Sequence, residues 1–257
     1  MKRDLCVSGY DLHYPKVDWP TVKAMFDFIQ LEKPSTFIFG GDQFDNECIS
    51  HHTKDKPYYR PRAAYMRDQT GFETGILNLL EKLLPKNCEK VWLTGNHDDW
   101  EFQLVEKNPE LEGLIDRVAA LKLEERGWLI KQVGEMYRKG KLGYCHGEWL
   151  TGIGNQGGTF PAKKLVENSV GNAVGGHTHA PQSFTRTSLH NQTQKWMAWI
   201  SPILGRVNPV YMKRRPNAWM NGFNVTEFHE GGNFNHYPVI CTGGVCVYGG
   251  KIYGDKK

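Results

Sequence analysis

The chain has 257 residues, a formal net charge of +4, and contents of 39% apolar and 23% charged residues. This length allows one large α/β domain or two small ones, with a substantial buried core. The composition is ordinary for a globular protein, and the weak positive charge permits nucleic-acid binding without indicating it. No run of apolar residues approaches the ~18 of a membrane helix, so we expect no membrane partner.

The six cysteines are scattered along the chain and form no C-x-x-C pair. This pattern argues against a disulfide framework or a structural zinc knot. The chain passes from Met1 directly into a short apolar stretch and shows no apolar region of a signal peptide. We therefore expect a reducing, cytoplasmic location. No pattern in the sequence specifies an oligomeric state.

The first part of the chain predicts a β-α-β unit. Residues 5–13 form a candidate strand that ends in Asp11-Leu12-His13. Asp18 is a candidate N-cap with Pro20 in the first turn of an amphipathic helix, and a second strand is predicted at 35–39. A right-handed crossover would make these two strands parallel neighbours.

Residues 46–69 interrupt this alternation, because they are basic and aromatic without a clear period. The segment is either a solvated loop or a rim of the site that contacts phosphate or stacks on a base. On the second interpretation, Arg60, Arg62 and Arg67 are candidate substrate-binding residues.

The remaining pattern indicates further strands and helices and no linker. We expect one domain, 1–257, in which the motifs lie within 11–179 and 180–257 completes a second sheet. The predicted elements are helices near 71–84, 100–125 and 161–168, strands at 90–94, 128–132, 183–188, 195–201 and 222–228, a glycine-rich loop at 152–158, and a closing hairpin near 237–253.

Polar side chains follow the ends of several predicted strands, where α/β sheets place their ligands. Two carboxylates, one amide and four imidazoles make mixed nitrogen and oxygen ligands, which suit Mn, Fe, Zn or Ni better than Ca or an iron–sulfur cluster. They are too many for one ion and fit two ions about 3.5–4 Å apart. These candidate metal ligands are Asp11, His13, Asp42, Asn96, His146, His177 and His179.

The ordered motifs resemble those of the calcineurin-like metallophosphoesterase superfamily. The resemblance implies an α/β (α+β) fold in which a two-layer β-sandwich is flanked by helices, with a dinuclear metal centre at the strand ends. It covers positions 11 to 179 and is carried by Asp11-x-His13, Gly41-Asp42-x-x-Asp45, Gly95-Asn96-His97-Asp98, His146 and Gly176-His177-x-His179.

The resemblance also implies roles for individual residues. Asp11, His13 and His179 would hold one metal, and Asn96, His146 and His177 the second. Asp42 would bridge the two, and a metal-bound hydroxide would attack phosphorus in line. His97 would stabilise the developing charge or protonate the leaving oxygen, and Asp45 would orient His97.

Differences from the motifs of particular subfamilies reduce the number of subfamilies to which the chain could belong. Protein serine/threonine phosphatases carry Asp-Arg-Gly where this chain has Asp45-Asn46-Glu47, which disfavours that assignment. Lipid A precursor pyrophosphatases resemble several motifs, but usually have arginine in place of His97 and a long helical lid between the last two motifs. The span from His146 to His177 is too short for that lid.

The expected activity is hydrolysis of phosphate esters with two divalent metal ions, Mn being favoured over Fe, Zn and Ni. A nucleotide or nucleic-acid phosphoester is the favoured substrate. The alternatives are a phosphomonoesterase acting on phosphoproteins or small metabolites, a lipid A precursor pyrophosphatase-like hydrolase, and a non-catalytic scaffold. The scaffold is least favoured, because neither His97 nor any of the ligands is missing.

Overall fold

The structure, a computed structural model, describes residues 4–60, 63–149 and 159–254. Arg62 and the predicted glycine-rich loop at 152–158 lie outside these residues. The helices are α1 (Trp19–Glu32), α2 (Ala64–Phe72), α3 (Asn78–Leu83), α4 (Asn96–Lys107), α5 (Arg117–Ala120) and α6 (Pro161–Ser169). The strands are β1 (Asp4–Gly9), β2 (Thr36–Phe39), β3 (Glu89–Leu93), β4 (Trp128–Lys131), β5 (Tyr137–Lys139), β6 (Leu142–Tyr144), β7 (Asn172–Gly175), β8 (Gln182–Thr187), β9 (Lys195–Ile200), β10 (Gly222–Phe228), β11 (Phe234–Ile240), β12 (Val245–Tyr248) and β13 (Lys251–Gly254).

The strands form two main sheets and one hairpin. The larger sheet has the order β11-β10-β1-β2-β3-β4, in which β1 to β4 are parallel and β10 pairs antiparallel with β1. The second sheet has the order β5-β6-β7-β9-β8, with β6, β7 and β9 parallel. Strands β12 and β13 form a separate two-stranded sheet.

The two sheets pack face to face, and helices cover their outer faces. Strand β2 shows the layering, because Phe37 and Phe39 pack in the core formed with α1 while Ile38 packs between the sheets. On the far side, Leu165 of α6 packs against Ala198 of β9. Alternate residues of a strand face opposite sides, so each central strand is buried on both faces. This arrangement confirms the predicted sandwich flanked by helices.

Helix α1 begins where the sequence predicts. The Asp18 side chain accepts a hydrogen bond from the Thr21 amide at 3.0 Å, and Pro20 lies in the first turn, where its missing amide hydrogen costs nothing. The helix ends at Glu32, and Lys33 caps it in a left-handed conformation with φ of 51°.

Two predicted helices have other bounds. A turn of π-helix at Glu73–Leu77 joins α2 to α3, so this helical segment begins at Ala64 rather than near 71. The residues before 71 are mostly polar, so their pattern does not predict a helix. The start of α2 is held by a long-range contact, in which the buried Arg117 guanidinium stacks on the Tyr65 ring at 4.1 Å. The helix predicted at 100–125 begins at Asn96, and Asn108-Pro109 ends it at Lys107.

The last third of the chain was predicted to complete the second sheet, and it contributes strands to both sheets. Strands β8 and β9 join the second sheet, but β10 and β11 extend the larger one. The reason is the free edge of β1, which β10 covers along a register that pairs Cys6 with Thr226. The closing hairpin is therefore β12–β13, and β11 does not belong to it.

Among the helices of the described residues, none combines the length and the apolar character that crossing a membrane requires. The cysteines are all free thiols, as the scattered spacing indicated.

Candidate metal centre

The predicted metal ligands converge at one end of the sandwich. Each follows the carboxyl end of a parallel strand, β1, β2 or β3 in the larger sheet and β6 or β7 in the second. The loops after β1 and β2 are joined directly, since the His13 amide donates to the Asp42 carbonyl at 2.9 Å. In the second sheet, the Gly176 amide donates to the His146 carbonyl at 2.7 Å.

The backbone at these positions is strained. Five of the ligands are non-glycine residues in the left-handed region, with φ between 50° and 64°: Asp11, His13, Asp42, His177 and His179. This conformation costs of order 1–3 kcal/mol per residue, and it persists only where the surrounding structure enforces it. The concentration of such residues at one place marks this end of the sandwich as a functional site.

The first cluster joins Asp11, His13 and His179. His179 Nε2 lies 3.2 Å from Asp11 Oδ1 and 3.2 Å from His13 Nε2. The three ligand atoms lie within 4.8 Å of one another, and all three residues are buried. Their composition, one carboxylate and two imidazoles, is that of a transition-metal site.

The second cluster is built around Asp42, His146 and His177, again within 4.8 Å. His146 Nε2 lies 3.2 Å from Asp42 Oδ2 and 3.2 Å from Asn96 Oδ1. Asp42 Oδ2 also lies 4.0 Å from His13 Nε2, so this carboxylate reaches both clusters. The structure thus brings together all seven predicted ligands, with Asp42 in the middle.

Glycine permits the close approach of these loops. A Cβ on Gly95 would collide with the backbone and carboxylate of Asp42, and a Cβ on Gly41, at φ of 98°, would collide with the His146 ring. Both positions therefore allow the ligands to approach each other and the backbone to turn.

The residues fit a bound cation. His146 Nδ1 faces the Gly40 carbonyl at 3.0 Å, which fixes a proton on Nδ1. Its Nε2 then faces two oxygen acceptors, on Asp42 and Asn96, and only a proton or a metal ion can satisfy all three. Two imidazole Nε2 atoms likewise face each other beside Asp11 in the first cluster.

The electrostatics point the same way. Burial lowers the pKa of His146, but the Asp42 carboxylate outweighs burial and raises it to about 10. Burial opposes ionisation of Asp42 as well, yet the neighbouring His146 and His97 hold the pKa of its carboxyl well below the usual range. Burial lowers the pKa of His177 to about 4, with a further contribution from His146. The buried carboxylates therefore favour a cation at this site, while His177 stays neutral, which is the form of histidine that binds metal.

His97 lies beside Asp42 between the two clusters, with a ligand atom within 4.8 Å of those of His13 and Asp42. Its backbone amide donates to Asp42 Oδ1 at 2.8 Å, and its Nε2 lies 3.9 Å from Asp42 Oδ2. Its Nδ1 faces the backbone carbonyl of Asp45 at 2.8 Å. The Nε2 atom is therefore the one directed to the centre, where a reacting group would lie.

Asp45 does not orient His97 through its carboxylate, and the predicted role needs correction. The carboxylate lies 3.3 Å from His13 Nδ1 and 2.7 Å from Lys16 Nζ, and it is the Asp45 carbonyl that contacts His97. Lys16 supplies the cationic partner of this carboxylate. Burial opposes ionisation, but the contact with His13 outweighs it and lowers the pKa of Asp45 to about 2.

The two described candidate arginines lie in different cavities. Arg67 pairs with Asp68 at 3.0 Å in a cavity that also contacts Asp45. Arg60 donates from Nε to the Cys48 carbonyl at 3.1 Å and lines a second cavity beside α4. Substrate binding by either remains a prediction.

Four further residues belong to the site, although no sequence motif predicts a role for them. Lys16 is paired with Asp45, and the buried Asn46 donates from Nδ2 to the His97 carbonyl at 2.8 Å. The Trp100 ring lies 4.1 Å from the His97 ring, and the Trp219 ring lies 4.2 Å from that of His179. Asn46 and Trp100 lie close in sequence to the motifs and could have been suspected, whereas no pattern marks Trp219.

The comparison with protein families agrees with this geometry. The profile of the calcineurin-like phosphoesterases matches residues 11–193, most of the chain and all the ligands. The chain belongs to the calcineurin-like phosphoesterase family. The general activity of this family is metal-dependent hydrolysis of phosphoesters.

Several solved structures are similar to this calcineurin-like phosphoesterase. Zn²⁺-complexed Vps29 from Entamoeba histolytica is 12% identical over 98% of this chain and 97% of that one, with a TM-score of 0.44. Vacuolar protein sorting 29 from Cryptosporidium parvum is 15% identical over 98% and 95%, with a TM-score of 0.45. A predicted phosphoesterase from Streptococcus pneumoniae is 10% identical over 99% of both chains, with a TM-score of 0.35. No curated protein matches the sequence.

Proposed function

We propose that the chain hydrolyses phosphoesters at a dinuclear centre. The observation that carries this proposal is the position of Asp42, whose carboxylate lies 3.2 Å from His146 and 4.0 Å from His13 and so joins two ligand clusters. Asp11, His13 and His179 would hold one cation, Asn96, His146 and His177 the other, and Asp42 both. When bound, such cations supply Lewis acidity toward phosphoryl oxygens and acidify water.

The chain's own residues supply the remaining chemistry. His97 is held by its amide on Asp42 and by Nδ1 on the Asp45 carbonyl, so its Nε2 is fixed toward the centre. Since Nδ1 donates to the Asp45 carbonyl, a proton on Nε2 makes His97 an imidazolium, which can stabilise charge on a phosphoryl oxygen or give the Nε2 proton to the leaving oxygen. Asp45 keeps a proton on His13 Nδ1 and thereby leaves His13 Nε2 free to bind a cation.

For the substrate, we propose a nucleotide or nucleic-acid phosphoester. Support comes from the aromatic and basic side chains beside the centre, where Trp100 packs on His97 and Arg60 lines the adjoining cavity. Manganese is the favoured cation because the ligands mix imidazole with carboxylate and amide oxygen, and Fe, Zn and Ni remain alternatives. The free thiols support a reducing, cytoplasmic location.

A substrate panel tests the proposal. Aryl phosphate mono- and diesters, cyclic nucleotides, and single- and double-stranded DNA and RNA would be offered to the protein with Mn, Zn and Ni in turn, with metal content measured in parallel. The expected result is metal-dependent hydrolysis, with nucleotide or nucleic-acid esters among the best substrates. A protein that binds metal but hydrolyses nothing would contradict the enzymatic assignment, and faster hydrolysis of the aryl monoester than of every nucleotide or nucleic-acid ester would contradict the substrate class.

A further inference from the structure

A cavity of about 600 Å³ lies between the segment 49–60 and helix α4. Three of its lining residues, Lys54, Arg60 and Lys107, are basic, and His51 adds a fourth basic group. Among the described residues that line this cavity, none carries a carboxylate. The cavity therefore presents uncompensated positive charge to whatever enters it.

The neighbouring cavity, of about 410 Å³, offers a contrast. Its cations, Lys16 and Arg67, are both paired, since Lys16 lies 2.7 Å from Asp45 and Arg67 lies 3.0 Å from Asp68. Glu47 also lines it and contacts Lys16. An anion entering this second cavity would meet carboxylates as well as cations, so the cavity beside α4 is the one suited to anions.

Trp100 connects the cavity beside α4 to the candidate centre. Its side chain lines the cavity, and its ring lies 4.1 Å from the His97 ring and 6.0 Å from the His51 ring. A group bound in the cavity would thus lie next to the substrate whose bond faces His97. The cavity is also too large for one phosphate ion, since volumes of about 300–1,000 Å³ accommodate drug-sized ligands.

We propose that this cavity binds the non-scissile phosphates of a substrate that carries more than one phosphate. The inference rests on the proposed function and deepens it, because it names what distinguishes a good substrate from a simple ester. Phosphate groups match lysine and arginine in charge and hydrogen bonding. The phosphates could belong to an oligonucleotide backbone or to the polyphosphate of a nucleotide, and the experiment separates these sources.

The test uses two charge reversals on the cavity, Lys54→Glu and Lys107→Glu, and a matched reversal on β9, Lys195→Glu, as control. Binding is measured by calorimetry on the metal-loaded protein with phosphorothioate oligothymidylate and with adenosine 5′-(β,γ-imido)triphosphate. Each cavity variant should weaken binding about tenfold at low salt. The slope of the logarithm of the binding constant against the logarithm of salt concentration should fall by the amount expected for about one lost phosphate contact. The control should bind as the wild type does.

Selective loss of oligothymidylate binding would identify a nucleic-acid backbone, and selective loss of imidotriphosphate binding a nucleotide polyphosphate. Unchanged binding of both probes in both cavity variants would overturn the inference.

Hydrolysis of an aryl phosphate, which has one phosphate, separates this inference from the proposed function. The cavity variants should keep wild-type turnover of that ester, and a large loss would mean that the lysines act at the centre instead. If the wild type itself fails to hydrolyse any ester, the proposed function fails, while the binding measurements still decide what the cavity holds.

Discussion

Asp42 is the residue on which the candidate centre depends. It is buried, left-handed at φ of 52°, and in contact with His146 and the His97 amide. A buried carboxylate without a cationic partner would be costly, and here the partners are imidazoles from both sheets. The strain at Asp42 and at its neighbours is the local cost of directing side chains from separate strands to one point.

His97 is the residue for which the geometry predicts a catalytic effect separate from metal binding. His97→Asn should lower kcat for an aryl phosphate by about 10²–10⁴-fold, because the proton at Nε2 is lost. Metal content should stay near that of the wild type, since His97 lies outside the seven ligands. Steady-state kinetics together with elemental analysis check both parts, and a variant that loses both metals would count against this role.

Trp100 is expected to position His97, since their rings lie 4.1 Å apart at an angle of 30°. Trp100→Leu should lower kcat for an aryl phosphate about tenfold with little change in KM, because a loosened imidazole is misplaced for proton transfer. Trp100→Phe should recover part of the loss, and Phe102→Leu, at an exposed position on the same helix, serves as control. Equal kcat in Trp100→Leu and the wild type would refute a positioning role.

At the level of elements, the centre exists because the parallel strands of the two sheets have their carboxyl ends at the same end of the sandwich. β1, β2 and β3 supply ligands from one sheet, and β6 and β7 supply them from the other. The sandwich core holds the two sheets in register, and a polar contact crosses it where Tyr144 donates to Thr226 at 2.9 Å. Thr226 in turn contacts His236 Nδ1 at 2.9 Å.

His236 makes stability depend on pH. Burial lowers its pKa to about 3, and its Nε2 is enclosed without a hydrogen-bond partner. The unfolded chain binds a proton at this histidine below about pH 6.5 and the folded chain does not, so the free energy of unfolding should fall as pH drops from 6.5 toward 3. The slope contributed by this one group approaches about 1.4 kcal/mol per pH unit.

Denaturant unfolding of the wild type and of His236→Gln across this range isolates the contribution of His236. The glutamine does not titrate, so the difference in unfolding free energy between the two proteins should change with pH in the predicted direction. Parallel curves would show that folding leaves the pKa of His236 at its unfolded value.

At the level of the whole molecule, much of the fold and the site could be predicted from the sequence. The strand-end motifs predict all seven converging ligands, because each side chain's place follows from a local pattern and from the rule that parallel strands share an edge. Long-range packing was not accessible in this way. The contact of Asp45 with Lys16, the approach of Trp219 to His179, and the pairing of β10 with β1 are contacts between segments that no local pattern joins.

Metal removal should destabilise the molecule as a whole. The two buried aspartates of the centre, Asp11 and Asp42, would then lose the cations that offset their desolvation. Ligand present at about 100 times its Kd stabilises a fold by about 2.7 kcal/mol, which corresponds to a Tm shift of about 5–10 °C for a domain of this size. Thermal unfolding with and without chelator measures the shift, and an unchanged Tm would indicate that no metal is bound at the buried clusters.

The measurement that tests the dinuclear centre most directly is a titration of Mn²⁺ into metal-free protein with aryl phosphate hydrolysis as readout. Activity should rise until two equivalents are bound and then stay constant, and Asp42→Asn should bind fewer than two and lose most of its turnover. Full activity at one equivalent, or an Asp42→Asn variant that binds two ions and turns over normally, would contradict the shared carboxylate between two metal sites.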